Sequence, residues 1–166
     1  MAYRSLLVHL DRSPRRAARL AIAFSLAARF QAHLTGLFAL SAVPVPSSVR
    51  AESPEFFAGL MRQQRAAAAQ AAREQFEALA SRQPEVVTEW REGEEDGVQA
   101  MLTAARYAEL LVLGQHQDDE SVDGGVDAAF LQELLLKAAK PALVVPYAGS
   151  FEVVGRRVLV AWNGGA

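Results

Sequence analysis

Short β-rich runs alternate with long alanine-rich stretches along all but the last part of the 166-residue chain, and nothing else in the sequence restricts the fold as much. Ser5–Leu10 is a near-continuous apolar run, as expected of a strand buried on both faces of a sheet. Asp11-Arg12-Ser13-Pro14 ends it. Ser13 suits an N-cap and Pro14 a first helical position, where the missing N–H would be unpaired anyway. Leu20, Phe24, Ala27 and Ala28 follow at helical spacing, which predicts a helix over 14–31. His33–Leu40 reads as the second strand, and the Pro- and Ser-rich stretch 41–53 as a loop. Ser53-Pro54 repeats the helix-opening pair, and alanines at 66–69, 71 and 72 favour a long helix over 54–81. Glu85–Arg91 is the third strand. Glu94, Glu95 and Asp96 are placed in the first turn of a helix running to Tyr107, at the positive end of its dipole. Glu109–Leu113 is the fourth strand, ending at Gly114. An acidic loop over 115–127, a helix over 128–139 and a fifth strand, Ala142–Val145, complete the series.

Helices between successive strands require crossover connections and hence parallel strands. The expected fold is a doubly wound α/β domain over residues 1–147, a five-stranded parallel sheet with helices on both faces.

Composition narrows the function. The chain has no cysteine, which excludes disulfides, a thiolate nucleophile and Cys-ligated metal. It carries 17 basic and 19 acidic residues, a net charge of −2, so no global field draws it to nucleic acid or to an anionic membrane. The basic cluster Arg12, Arg15, Arg16 and Arg19 is read as the solvated face of the first helix. His9, His33 and His116 are scattered without metal-ligand spacing, with His9 read as packed inside its strand. Gly-x-Ser-x-Gly is absent, so acyl transfer lacks its nucleophile motif. No secretory signal or membrane-length apolar run is visible, and a cytoplasmic protein is expected.

The end of the chain repeats its beginning. Arg157-Val158-Leu159-Val160-Ala161-Trp162-Asn163 matches Ser5-Leu6-Leu7-Val8-His9-Leu10-Asp11 as an apolar strand followed by Asn or Asp. Residues 148–156 then act as a linker, and 157–166 open a second copy of the domain. The alternative is an extra edge strand with accidental similarity. As an orphan strand, Val158–Ala161 is expected to pack on the sheet edge of this domain or of a neighbouring chain.

In open α/β sheets, ligands bind beyond the carboxyl ends of the strands, where the strand order reverses. Asp11, Phe38–Val43, Glu92–Glu94 and Gly114–Gln117 emerge there. Asp11 has two readings that the sequence leaves open: a carboxylate that accepts hydrogen bonds from a ribose or an adenine amino group, or a residue that organises the turn into the first helix.

Three segments carry a family resemblance. Val8-His9-Leu10-Asp11-Arg12-Ser13 resembles the Val-x-x-Asp-x-Ser opening of the universal stress protein (UspA) family. Glu109–His116 resembles that family's fourth strand with its Gly-x-His, and Lys140–Pro146 its closing Pro-Val-Leu-Val-Val strand. The resemblance spans residues 3–147, and the renewed strand at Arg157 resembles the tandem members. It implies a Rossmann-like fold of the adenine nucleotide alpha hydrolase type, and homodimer contact through Ala142–Val145.

The ATP-binding branch of that family carries Gly-x-x-Gly, nine residues, then Gly-Ser or Gly-Thr, which let backbone N–H groups approach phosphate. Here Gly114 matches the first glycine, Gln117 replaces the second, and Ala128-Ala129 stand at the final pair. Asp118, Asp119, Glu120, Asp123 and Asp127 add repulsion for a triphosphate. The segment is not an EF-hand, lacking its Glu at position 12, and reads as a solvated loop. The expectation is therefore a non-catalytic domain with Asp11 and Gly114 as remnants of a nucleotide site. It would hold no metal or cofactor and act through dimerisation, with small-molecule sensing as a further role. The rival reading is an ATP-binding, weakly hydrolysing domain.

Overall fold

The computed structural model describes residues 3–40, 54–93, 96–116, 128–151, 154–155 and 157–161. The loop 41–53, Glu94 and Glu95, the acidic segment with Gln117, and Trp162 lie outside the described residues. The described elements are β1 (Ser5–Leu10), α1 (Arg16–Phe30), β2 (His33–Phe38), α2 (Pro54–Arg82), β3 (Thr88–Glu92), α3 (Gly97–Ala105), β4 (Leu110–Gly114), α4 (Ala128–Lys137) and β5 (Ala142–Val145). All neighbouring strands pair in parallel, in the order β3-β2-β1-β4-β5. The order reverses between β1 and β4, so the carboxyl ends of these two strands flank the crevice.

Side-chain alternation distributes two cores. Leu6, Val8 and Leu10 of β1 face α1 and α2, meeting Phe24, Ala27, Ala72 and Phe76. Leu7 of β1 and Leu37 of β2 face the opposite way, onto Met101, Phe130 and Leu134 of α3 and α4. Phe76 organises the first core. Its ring centroid lies 5.4 Å from Phe24 and 5.7 Å from Trp90. It reaches β2 because Gly36 has no side chain: a Cβ there would sit 2.7 Å from Cε2 of Phe76. Full burial of an aromatic of this size stabilises by about 1.5–3 kcal/mol.

Several boundaries differ from the expected ones, each for a local reason. The first helix starts at Arg16 and not at Pro14, and its N-cap is Arg15 and not Ser13. The Asp11 carboxylate accepts from Ser13 N–H at 3.0 Å, and the Ser13 carbonyl accepts from Arg16 N–H at 3.0 Å, so 11–15 form turns before the helix begins. β2 ends at Phe38, two residues early, and β3 begins at Thr88. A turn closed by Val86 N–H on the Gln83 carbonyl holds 83–86 out of the sheet, while Val86 itself is buried. Asp96 precedes α3 and caps it, accepting from Val98 and Gln99 N–H. α4 ends at Lys137, with Ala139 in the left-handed region at φ 50°.

The described part of the tail, Arg157–Ala161, forms no strand. Val158, Leu159 and Val160 are 75%, 93% and 79% exposed, so this domain's own sheet edge is not the seat expected for them. No helix among the described residues is long and apolar enough to cross a membrane.

Candidate functional site

β1 delivers Asp11 to the reversal point by running straight through the sheet centre and stopping at Leu10. Asp11 is 1% exposed. Its Oδ1 accepts from Arg19 Nη2 at 2.6 Å as well as from Ser13 N–H, and its carbonyl accepts from Arg16 Nη1 at 2.7 Å. Oδ2 is buried and has no hydrogen-bond partner among the described residues. Of the two readings of Asp11, the contacts show that it organises the turn into α1; it does so at the carboxyl end of β1, beside the point where the strand order reverses.

Arg19 overturns the expectation for the basic cluster. It is not on a solvated face but 2% exposed, locked to Asp11 in a buried ion pair. The signal was present in the sequence. Arg19, Ala23, Leu26 and Ala27 fall on one helical stripe, and the last three are buried core residues. The guanidinium also reaches across to β4: an added Cβ on Gly114 would lie 2.4 Å from Arg19 Nη1 and 3.2 Å from Cζ. Asp11 and Gly114 are therefore brought together, with the Arg19 guanidinium between them.

His9, on the same strand, is 1% exposed. Its Nε2 lies 2.8 Å from the Ala39 carbonyl; a carbonyl only accepts, so Nε2 carries the hydrogen. Nδ1 is buried and has no hydrogen-bond partner among the described residues, and the ring tilts against Phe130 with centroids 4.8 Å apart. Burial lowers the His9 pKa to about 4, Arg19 adding to the effect while Asp11 and the Ala39 contact oppose it. For Asp11, burial pushes the carboxyl up, but the Arg19 and His9 charges and the bonds from Arg19 and Ser13 hold it below the ordinary value.

The start of α4 places Ala128 and Ala129 at a helix N-terminus, as expected, both exposed. A separate cavity of about 110 Å³ lies toward the amino ends of β1 and β2, where His33, Thr35 and Tyr107 surround the Glu89–Arg91 ion pair. It shares no residue with the crevice. Among the described residues no three His, Cys, Asp or Glu side chains group to hold a metal.

The fold and the crevice can be set against known proteins. Universal stress protein UspA from Lactobacillus plantarum is 22% identical, with a TM-score of 0.59 over 87% of this chain and 99% of that one. A universal stress family protein from Burkholderia pseudomallei is 24% identical, with a TM-score of 0.56 over 87% and 96%. A universal stress family protein from Arabidopsis thaliana, solved with AMP bound, is 15% identical, with a TM-score of 0.52 over 86% and 91%. No curated protein matches the chain. At these identities the solved structures establish a shared fold. The model of the universal stress protein family matches residues 2–146, which takes in all five strands and the Asp11–Gly114 crevice, and the chain accordingly belongs to the universal stress protein family.

Proposed function

We propose that this is a non-catalytic universal stress protein domain that holds no ATP and acts by association, opening a protein of two such domains. The observation that carries the reading is the state of Asp11. The carboxylate best placed to take a ribose or an adenine is sealed under an ion pair with Arg19. At the start of α4 stand Ala128 and Ala129, residues with a Cβ where glycines would let backbone N–H groups come close to a phosphate. As placed, these residues do not fit an adenine nucleotide. Titration of the chain with ATP and magnesium in a calorimeter is expected to give no binding heat, and saturable heat abolished by Asp11→Ala would overturn the reading.

Association is favoured by a contrast between the two sheet edges. β3 carries Glu89, Arg91 and Glu92, charges of the kind that guard an exposed edge. β5 is Ala-Leu-Val-Val, with no charge and with three of its four residues only partly covered. Two-fold pairing of β5 edges gives an isologous dimer. In analytical ultracentrifugation Val144→Lys should yield monomers, whereas a dimer that survives the substitution would refute this interface.

The tail supports the tandem reading. Val158–Val160 matches the centre of β1, a strand that pairs on both sides, and its three apolar side chains, exposed by 75–93%, are not covered by the described residues of this domain. A second copy of the sheet would supply both neighbours. The rival reading, a nucleotide-binding domain, draws on the AMP-bound Arabidopsis relative. It requires Arg19 to leave Asp11.

A further inference from the structure

We infer that Arg19 is the specificity-determining residue of the crevice: it is a built-in occupant that excludes a nucleoside, whereas the changed positions around α4 bear only on phosphate. The inference rests on the closed-crevice reading and separates its two causes.

Arginine is rarely buried to this degree unless its charge is paired. Here its guanidinium spans the gap between the end of β1 and the end of β4, with Nη2 on Asp11 and Nη1 over Gly114. That gap is the place where the strand order reverses and where ligands of such sheets sit. Among the described residues the pairing is incomplete: Arg19 Nε, Asp11 Oδ2 and His9 Nδ1 are all buried and find no hydrogen-bond partner there. A buried ion pair is weak support for stability compared with apolar packing, and unsatisfied buried polar atoms weaken it further. The arrangement is therefore better explained as occupancy of a site than as a stabilising device. Asp11 requires a donor, and Arg19 supplies it from within the chain.

The chemistry of the space behind Arg19 follows from what would remain. Without the guanidinium, a lone buried carboxylate lies beside a strand end, Gly114, that leaves room for close approach. Such a site suits a neutral molecule with hydroxyl or amino donors. It does not suit a triphosphate, which Asp11 repels and to which the start of α4 offers alanines in place of glycines. Removing Arg19 should thus admit adenosine, with phosphates adding nothing.

The test is calorimetric titration of wild type and Arg19→Ala with adenosine and, separately, with ATP. Adenosine binding by Arg19→Ala but not by wild type, with ATP no tighter, is the expected result. Millimolar guanidinium should also raise the Tm of Arg19→Ala saturably and compete with adenosine, because it refills the vacated place. An Arg19→Ala protein that shows a native circular dichroism spectrum yet binds no adenosine would overturn the inference, as would one that binds ATP more tightly than adenosine. If Arg19→Ala does not fold, Arg19→Lys keeps a charge facing Asp11 while removing the planar fork from Gly114. Adenosine binding at least about tenfold stronger than wild type supports the inference, and binding equal to wild type overturns it. The wild-type ATP titration stands apart. Binding there defeats the closed-crevice reading itself, while a silent wild type with a silent, folded Arg19→Ala leaves that reading intact and removes only the role given to Arg19.

Discussion

The buried imidazole of His9 makes the stability of this domain depend on pH between about pH 4 and the ordinary histidine value of 6.5. Its folded pKa is about 4 against an ordinary value of 6.5, because burial disfavours the charged ring. Between these values the unfolded chain binds a proton at His9 and the folded one does not, so stability rises with pH across the window and is lost as the pH falls. At 1.36 kcal/mol per pKa unit the full span amounts to about 3 kcal/mol, a large share of the 5–15 kcal/mol typical of a domain. The slope should peak at about 1.2 kcal/mol per pH unit at about pH 5. Asp11 works lower on the scale. Its folded pKa is depressed, so its stabilisation is fully present above the ordinary carboxylate value and is lost only as the pH falls through the lower folded one. Urea unfolding followed by circular dichroism from about pH 4.5 to 7.5 measures the effect. Other groups also titrate in this range, so the quantity to read is the difference between wild type and His9→Gln. Glutamine keeps a donor for the Ala39 carbonyl but does not titrate. That difference should shift toward wild type by about 2–3 kcal/mol as the pH rises. A difference that stays flat would show that His9 is protonated, or solvated, in the folded state.

Two further outcomes follow from close contacts. Gly36→Ala places a methyl group 2.7 Å from the buried Phe76 ring, and overpacking of this kind should lower the urea-derived stability by about 1–3 kcal/mol, whereas a neutral result would mean the ring yields freely. Asp96→Ala removes the acceptor for Val98 and Gln99 N–H and should cost about 1 kcal/mol, which Asp96→Ser should largely restore.

The succession of elements, and with it the class of fold, is legible in the residues alone. Ser5–Leu10 and Glu109–Leu113 are strands in any α/β arrangement because runs so apolar must be covered on both faces, and the alanine-rich stretches between them are helices by periodicity and propensity. Parallel pairing then follows from crossover connections. Asp11 and Gly114 were legible as residues at strand ends for the same reason. Boundaries were less legible where local hydrogen bonds compete with the pattern: the Asp11 carboxylate bends 11–15 into turns, and a turn over 83–86 withholds Val86 from the strand its composition suggests. The fate of Arg19 emerges only once the chain is folded. Along the chain it is one of four arginines on a basic turn, and its position on the apolar stripe of α1 shows only which way it faces. Its pairing with Asp11 spans only eight residues, but that it lies on Gly114 depends on β1 and β4 being neighbours, a contact between segments about a hundred residues apart. Burial of a charge is set by such distant neighbours, because it is they that remove water and provide the opposite charge.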